Sequence, residues 1–236
     1  MRNIFKIYKI YYLLFFPIYL LIRIISPFSL LRFERLISNR IGHFACTTEL
    51  YLCEIENKIN IPKQKYKDIF TINDEISNTQ IYKFWKKKIF ILNHFFVDPI
   101  LFFIRIIPGS NIHRVFYRKK IEDEKNMFSH RDLLNLIDRS SIHYSFEENE
   151  IKTCINLCKK LNIPINKKIA LIHLRDDFYF KKFHPNKDFS YWEQKNPNLN
   201  DYIPSILHLI KNNYYVIRVG KGSQKKIRLK NKKYLD

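Results

Sequence analysis

Lys168-Ile-Ala-Leu-Ile-His-Leu-Arg-Asp-Asp177 is the stretch from which the fold is read. Ile169, Ala170, Leu171 and Ile172 form a short apolar run, which suits a strand covered on both faces as in a parallel sheet. The run ends in charge at Arg175, Asp176 and Asp177. In open α/β sheets ligands sit beyond the carboxyl ends of the strands. A guanidinium at that place can hold a phosphate or carboxylate with a bidentate fork.

The residues downstream extend this to a βαβ unit. A polar loop is expected from Phe178 to about Pro197. Asn200 is the expected helix N-cap, followed by Asp201, whose charge suits a helix N-terminus. Pro204 falls in the first turn, where its missing N–H does little harm. Ile206, Leu207, Leu209 and Ile210 supply an apolar helix face. Tyr214–Val219 is then a second strand, closed by Gly220. Strand, loop, helix and strand at this spacing predict a parallel, right-handed crossover.

Upstream, Leu36–Asn39 reads as a short strand, Arg40-Ile-Gly-His43 as a turn and Phe44–Asn57 as a helix. Asp68–Ile72 reads as a strand, Thr79–Lys88 as a helix, Asn111–Arg118 as a possible strand and Glu147–Leu161 as a helix. Ile89–Pro108 is apolar throughout and reads as core, with a second membrane-facing patch as the alternative. Ile151, Cys154, Ile155, Cys158 and Leu161 would line one inward face of the Glu147–Leu161 helix.

The N-terminus is basic and aromatic, and Ile10–Ile22 carries no charge. As a helix that run rises about 20 Å, short of the ~30 Å hydrocarbon core. Aromatic residues with flanking Lys and Arg suit a helix lying in a leaflet. Residues 1–31 are therefore expected to be an apolar, membrane-associated helical segment, with a helix packed on the protein's own core and a true membrane span as the alternatives.

The 236 residues carry a formal charge of +20. Such a charge favours anionic partners such as nucleotide diphosphates or acidic lipid headgroups. No nucleic-acid-binding motif accompanies it, which argues against nucleic acid. There are 4 cysteines and no C-x-x-C, so no metal site is expected. Cys46 with Cys53, and Cys154 with Cys158, read as small apolar core residues on helices in a reducing compartment.

Ile172-His-Leu-Arg-Asp176, Asn198-Leu-Asn-Asp-Tyr202 and Val216-Ile-Arg-Val-Gly220 together resemble the motif series of a bacterial glycosyltransferase family. That family has a GT-B-like, two-Rossmann architecture tied to surface-polysaccharide synthesis. Arg40-Ile-Gly-His43 and Glu49-Leu-Tyr-Leu-Cys53 fit its pattern too. The resemblance runs from about residue 36 to the C-terminus. It implies an α/β fold of two Rossmann-like halves, residues 32–144 on the acceptor side and 145–236 on the donor side. The second half is shorter than the family pattern, so the chain is expected to be truncated there.

The resemblance implies metal-independent transfer of a sugar from a nucleotide-sugar to a glycan or glycolipid acceptor at the cytoplasmic face of the inner membrane. The nucleotide-sugar is the donor substrate, and no cofactor is expected. Arg175 is the expected donor-phosphate ligand, with Arg218 and Lys221 as further cations; the alternative for Arg175 is a salt bridge to Asp176 or Asp201. His43 is the candidate base and Asp176 its rival, while a helix-capping or carbonyl-bonding role for His43 stays open. Arg40, Gly42, His173, Asn198, Asp201 and Gly220 complete the expected donor-binding set. Two other classes stay open: a non-catalytic, partner-binding fragment and a basic nucleic-acid-binding protein.

Overall fold

The computed structural model describes residues 10–115, 132, 134–174, 178–183, 188, 197–220 and 226–236. It is a mixed α/β structure with two small parallel sheets. The chain divides into two compact units, Met1–Ser145 and Phe146–Asp236.

In the first unit, helical residues 10–14 lead into α1 (Phe16–Ile25), which carries Pro17 in its first turn. β1 (Ser29–Leu36) follows, then α2 (Ile41–Glu56), β2 (Lys65–Ile72), α3 (Thr79–Lys88) and α4 (His94–Ile106). β1 and β2 pair in parallel over their full length, from Ser29 opposite Lys65 to Leu36 opposite Ile72. Single parallel bridges extend this pair on both sides, Phe33 to Arg114 and Phe70 to Ile91.

Successive strand residues face opposite sides of the sheet, and both sides are packed. Phe33 and Ile69 join Tyr19 and Ile22 of α1 and Val97, Ile100 and Ile104 of α4 in one cluster. Leu36 and Phe70 join Phe44 and Tyr51 of α2 and Trp85 of α3 in another. The helix caps follow the sequence: Asn78 Oδ1 accepts from Gln80 and Ile81 N–H, and Asn93 Oδ1 from Phe95 N–H.

Several expectations for this unit need correction. The first strand is Ser29–Leu36, not Leu36–Asn39, so the boundary expected after residue 31 falls inside β1. Charge at Arg32, Glu34 and Arg35 disguised the strand. Arg32 and Glu34 are buried because their partners arrive from distant positions. Arg32 Nε and Nη2 donate to the two Asp68 carboxylate oxygens at 2.6 Å, and Tyr51 Oη donates to Asp68 Oδ2 at 2.7 Å. Arg114 Nη2 donates to both Glu34 oxygens at 2.9 and 3.0 Å. Arg35 pairs with Asp98. Within the strand expected at Asn111–Arg118, the residues up to His113 belong to a 3₁₀ turn, Ser110–His113, and Arg114 makes a single bridge, while residues 116–118 lie outside the described residues.

In the second unit α5 (Glu148–Lys160) precedes β3 (Ile169–His173). A short helix α6 (Phe178–Phe183) stands at the start of the expected loop. A 3₁₀ turn at Leu199–Tyr202 runs into α7 (Ile203–Lys211), then β4 (Tyr215–Val219) and β5 (Tyr234–Leu235). The strand order is β3-β4-β5, all parallel. Ile206 and Ile210 of α7 pack with Val216, Tyr234, Leu199 and Ile227.

Here too the sequence reading is corrected. Among the described residues β3 is an edge strand covered on one face, and Ile169, Leu171 and His173 point outward, with Leu171 66% exposed. No residue of α5 is buried, so its apolar face is not a core face. Of the cysteines, Cys53 is buried, while Cys46 and Cys154 are exposed and Cys158 lies between. The cap before α7 is Asn198 rather than Asn200, because the chain enters through a 3₁₀ turn and Asn198 Oδ1 accepts from Asn200 N–H at 3.2 Å.

Candidate functional site

Several of the expected site residues that are described follow the carboxyl end of a parallel strand within one unit. In the first unit β1 ends at Leu36, and Ser38 anchors the turn that follows. Its hydroxyl donates to the Glu75 carbonyl at 2.7 Å and accepts from Asn73 N–H at 3.0 Å. Arg40 then occupies the N-cap position of α2 in extended conformation, and the exposed Gly42 and half-buried His43 lie in the first turn. A Cβ on Gly42 would meet nothing within 4 Å. Its glycine is therefore not required by the protein's own packing. The His43 imidazole is held below its usual range, first by burial and then by the Arg40 charge. Both effects favour the neutral ring, the form that accepts a proton.

In the second unit the parallel register sets Ile172 opposite Arg218 and His173 opposite Val219. The exposed His173 and Gly220, far apart in sequence, thus share one sheet edge. Asn198 and Asp201 lie together at the entry to α7, with Asn198 Nδ2 donating to Asp201 Oδ1 at 3.3 Å. That supports an ordering role for both. Arg218 is buried, and its Nη1 donates to the Asp236 carboxylate at 3.2 Å. An anion would have to compete with Asp236 for this guanidinium. Asp236 also raises the Tyr234 hydroxyl, to about 12, after burial as the first cause. Arg175, Asp176 and Lys221 lie outside the described residues.

Two features lie outside the expected site residues. The first is an apolar surface, of which the sequence reading gave the two parts separately, in residues 1–31 and as the alternative for Ile89–Pro108. Leu13, Leu14, Leu21, Ile24 and Phe28, on and around α1, are exposed, as are Phe95, Phe96, Phe102 and Ile106 of α4. Ring contacts link the two groups: Tyr11 meets Phe95 at 4.5 Å between centroids, and Tyr12 meets Phe102 at 5.3 Å. α4 thus carries both alternatives read for Ile89–Pro108, a core face toward the sheet and an apolar face outward. No helix among the described residues is long and apolar enough to cross a membrane.

The second is a polar cluster on α2. Glu49, Cys53 and Glu56 are spaced i, i+4 and i+7 and share one helix face. His143 docks there from the segment before the second unit. Its backbone N–H and its Nδ1 both lie 3.0 Å from Glu49 Oε1, and its Nε2 lies 3.3 Å from Glu56 Oε2. Ser141 N–H and hydroxyl donate to Glu56 Oε2 at 3.1 and 3.0 Å. Burial pushes the Cys53 thiol up; a hydrogen bond with Ser140 opposes this, and the Glu49, Glu56 and Asp132 carboxylates add to it. The i, i+4 Glu–Cys spacing was visible in the sequence. His143 was not, because only the fold carries it to the helix. No family model matches the chain, and neither a curated protein nor a solved structure matches it.

Proposed function

We propose that this chain acts as a GT-B-like glycosyltransferase built on two Rossmann-like halves. It moves a sugar from a nucleotide-sugar to a glycan or glycolipid acceptor at the cytoplasmic face of the inner membrane. One observation supports the transfer reading: Arg40, Gly42 and His43 follow the carboxyl end of β1, and His173 and Gly220 lie at the carboxyl ends of β3 and β4. That is where open α/β folds hold ligands. His43 is the base for the acceptor hydroxyl, its ring kept neutral by burial and Arg40. Arg175 and Lys221 offset the charge of the departing diphosphate, with the α7 entry ordered by Asn198 and Asp201. Asp176 is the rival base.

The membrane reading is supported by the exposed apolar faces of α1 and α4, with Arg23 and Arg105 among them. A bilayer interface takes such a face, and basic side chains strengthen it on anionic lipid. The test is release of nucleoside diphosphate by the full chain, given a panel of nucleotide-sugars and inner-membrane lipid. His43→Asn is expected to lower the rate roughly 100-fold or more. Equal rates in variant and parent would remove His43 from the mechanism. Absence of release with every donor would leave the second reading, a non-catalytic binding protein. The uncovered outer face of β3 favours that reading.

A further inference from the structure

We infer that Glu49, Cys53 and His143 form a zinc site that ties the segment around His143 to α2. Their donor atoms, a carboxylate oxygen, a thiol sulfur and an imidazole nitrogen, all lie within 4.8 Å of one another. A mixed oxygen, sulfur and nitrogen set is one that Zn²⁺ accepts in tetrahedral geometry.

Three observations point to a cation here. His143 has a carboxylate against each ring nitrogen, Glu49 Oε1 at 3.0 Å from Nδ1 and Glu56 Oε2 at 3.3 Å from Nε2. Two carboxylates flanking one ring make a place where a cation is favoured. Next, Glu49 Oε2 is shielded from solvent and has no hydrogen-bond partner among the described residues. A buried carboxylate oxygen left so is costly, and a metal ion would satisfy it. Last, the thiol of Cys53, a residue only 1% exposed, lies beside these groups. A doubly paired imidazolium would explain the first observation alone, whereas a metal explains all three.

The roles then separate. Zinc is held by Glu49, by His143 through Nδ1 and by Cys53 as the thiolate, whose proton leaves to solvent on binding. Glu56 accepts from Nε2–H and orients the ring, as carboxylates behind metal-bound histidines do. Water completes the tetrahedron.

The test uses the full chain and the metal alone. After purification and exhaustive dialysis, elemental analysis should find one zinc per chain. Replacement by Co²⁺ should give the intense visible bands of a tetrahedral ion and a near-ultraviolet thiolate-to-cobalt band. Cys53→Ser should abolish the near-ultraviolet band, while Cys46→Ser, at an exposed thiol one turn beyond Glu49, should keep it. Glu56→Gln should keep the spectrum and weaken binding roughly 10–100-fold. Circular dichroism checks that each variant folds, and Glu56→Gln decides the matter should Cys53→Ser unfold. The proposal is overturned by a dialysed chain that neither holds zinc nor takes up cobalt at micromolar concentration. It is equally overturned by a thiolate band that survives Cys53→Ser, or by Glu56→Gln binding as tightly as the parent.

Discussion

The two parallel sheets are built from the same kind of strand and are buried in opposite ways. β1 and β2 carry three charged residues in their most buried stretch, Arg32, Glu34 and Asp68, each 8% exposed or less. Helices cover both faces of that sheet. β3, whose residues before His173 are all apolar, leaves one face open. Residue polarity alone would rank these strands in the reverse order. What decides is whether partners are available. The Arg32 guanidinium is held by both Asp68 oxygens, by the Asn60 carbonyl at 2.8 Å, and by the Tyr66 ring with its centroid 4.8 Å away. Charge can be buried when every donor finds an acceptor, and an apolar strand stays exposed when no layer covers it.

The largest way to break the contrast is to remove one member of the first sheet's network. Asp68→Asn leaves the Arg32 charge buried without its counter-charge and weakens the Tyr51 hydrogen bond. A buried pair broken on one side costs about 3–5 kcal/mol, a large share of a domain stability of about 5–15 kcal/mol. Urea unfolding followed by tryptophan fluorescence in a Trp192→Phe background reads this, since the remaining ring, Trp85, is buried in the first unit. A loss below about 1 kcal/mol would mean that the pair is hydrated and the sheet less closed than described.

A smaller effect comes from His113, also in the first unit and 0% exposed. Its Nδ1 lies 2.7 Å from the Leu31 carbonyl and is the protonated nitrogen there, while Nε2 is buried with no partner among the described residues. Burial lowers its affinity for a proton, the Leu31 bond opposes this, and the Arg23 charge adds to the lowering. The folded chain therefore binds this proton less readily than the unfolded chain, whose histidines titrate near pH 6.5. Its contribution to stability is complete above that value and is lost as pH falls toward the folded-state value. The slope it adds approaches about 1.4 kcal/mol per pH unit at most. His113→Gln should flatten the stability profile below about pH 6.5. An unchanged slope would assign the acid sensitivity to another group.

Local patterning made much of this molecule legible. The Thr79–Lys88 helix is found at the expected bounds, and the α2 and α5 helices within a few residues, because caps and helical period are local signals. Parallel pairing of β3 with β4 followed from strand and helix spacing. What stayed hidden depends on partners far away in sequence. β1 was missed because Arg32 and Glu34 read as surface residues until Asp68 and Arg114 are brought to them. Of the candidate site, Arg40, Gly42 and His43 were read as a turn before a helix, whereas Arg40 is that helix's N-cap and Gly42 and His43 lie in its first turn. The commitment of Arg218 to Asp236 and the arrival of His143 at Glu49 were not legible, since each is a tertiary contact that no periodicity encodes.

The smallest expected effect sharpens the comparison most. Leu171 stands on the open face of β3, and its side chain loses little water on folding. Leu171→Ser should change stability by no more than about 0.5 kcal/mol, the range of surface positions away from special features. The same change at a covered strand position would cost several times that, because buried apolar area is worth about 25 cal/mol per Å². The measurement is the urea midpoint of the two chains at matched m-value. A cost of about 2 kcal/mol or more would show that Leu171 is covered in solution, by a second copy or by other protein, and a concentration series separates these. Self-association makes the penalty grow with protein concentration, because only the associated state contains the contact. A penalty near zero at every concentration leaves β3 an open edge strand. Its apolar outer face would then be a surface kept exposed, unlike anything in the first sheet.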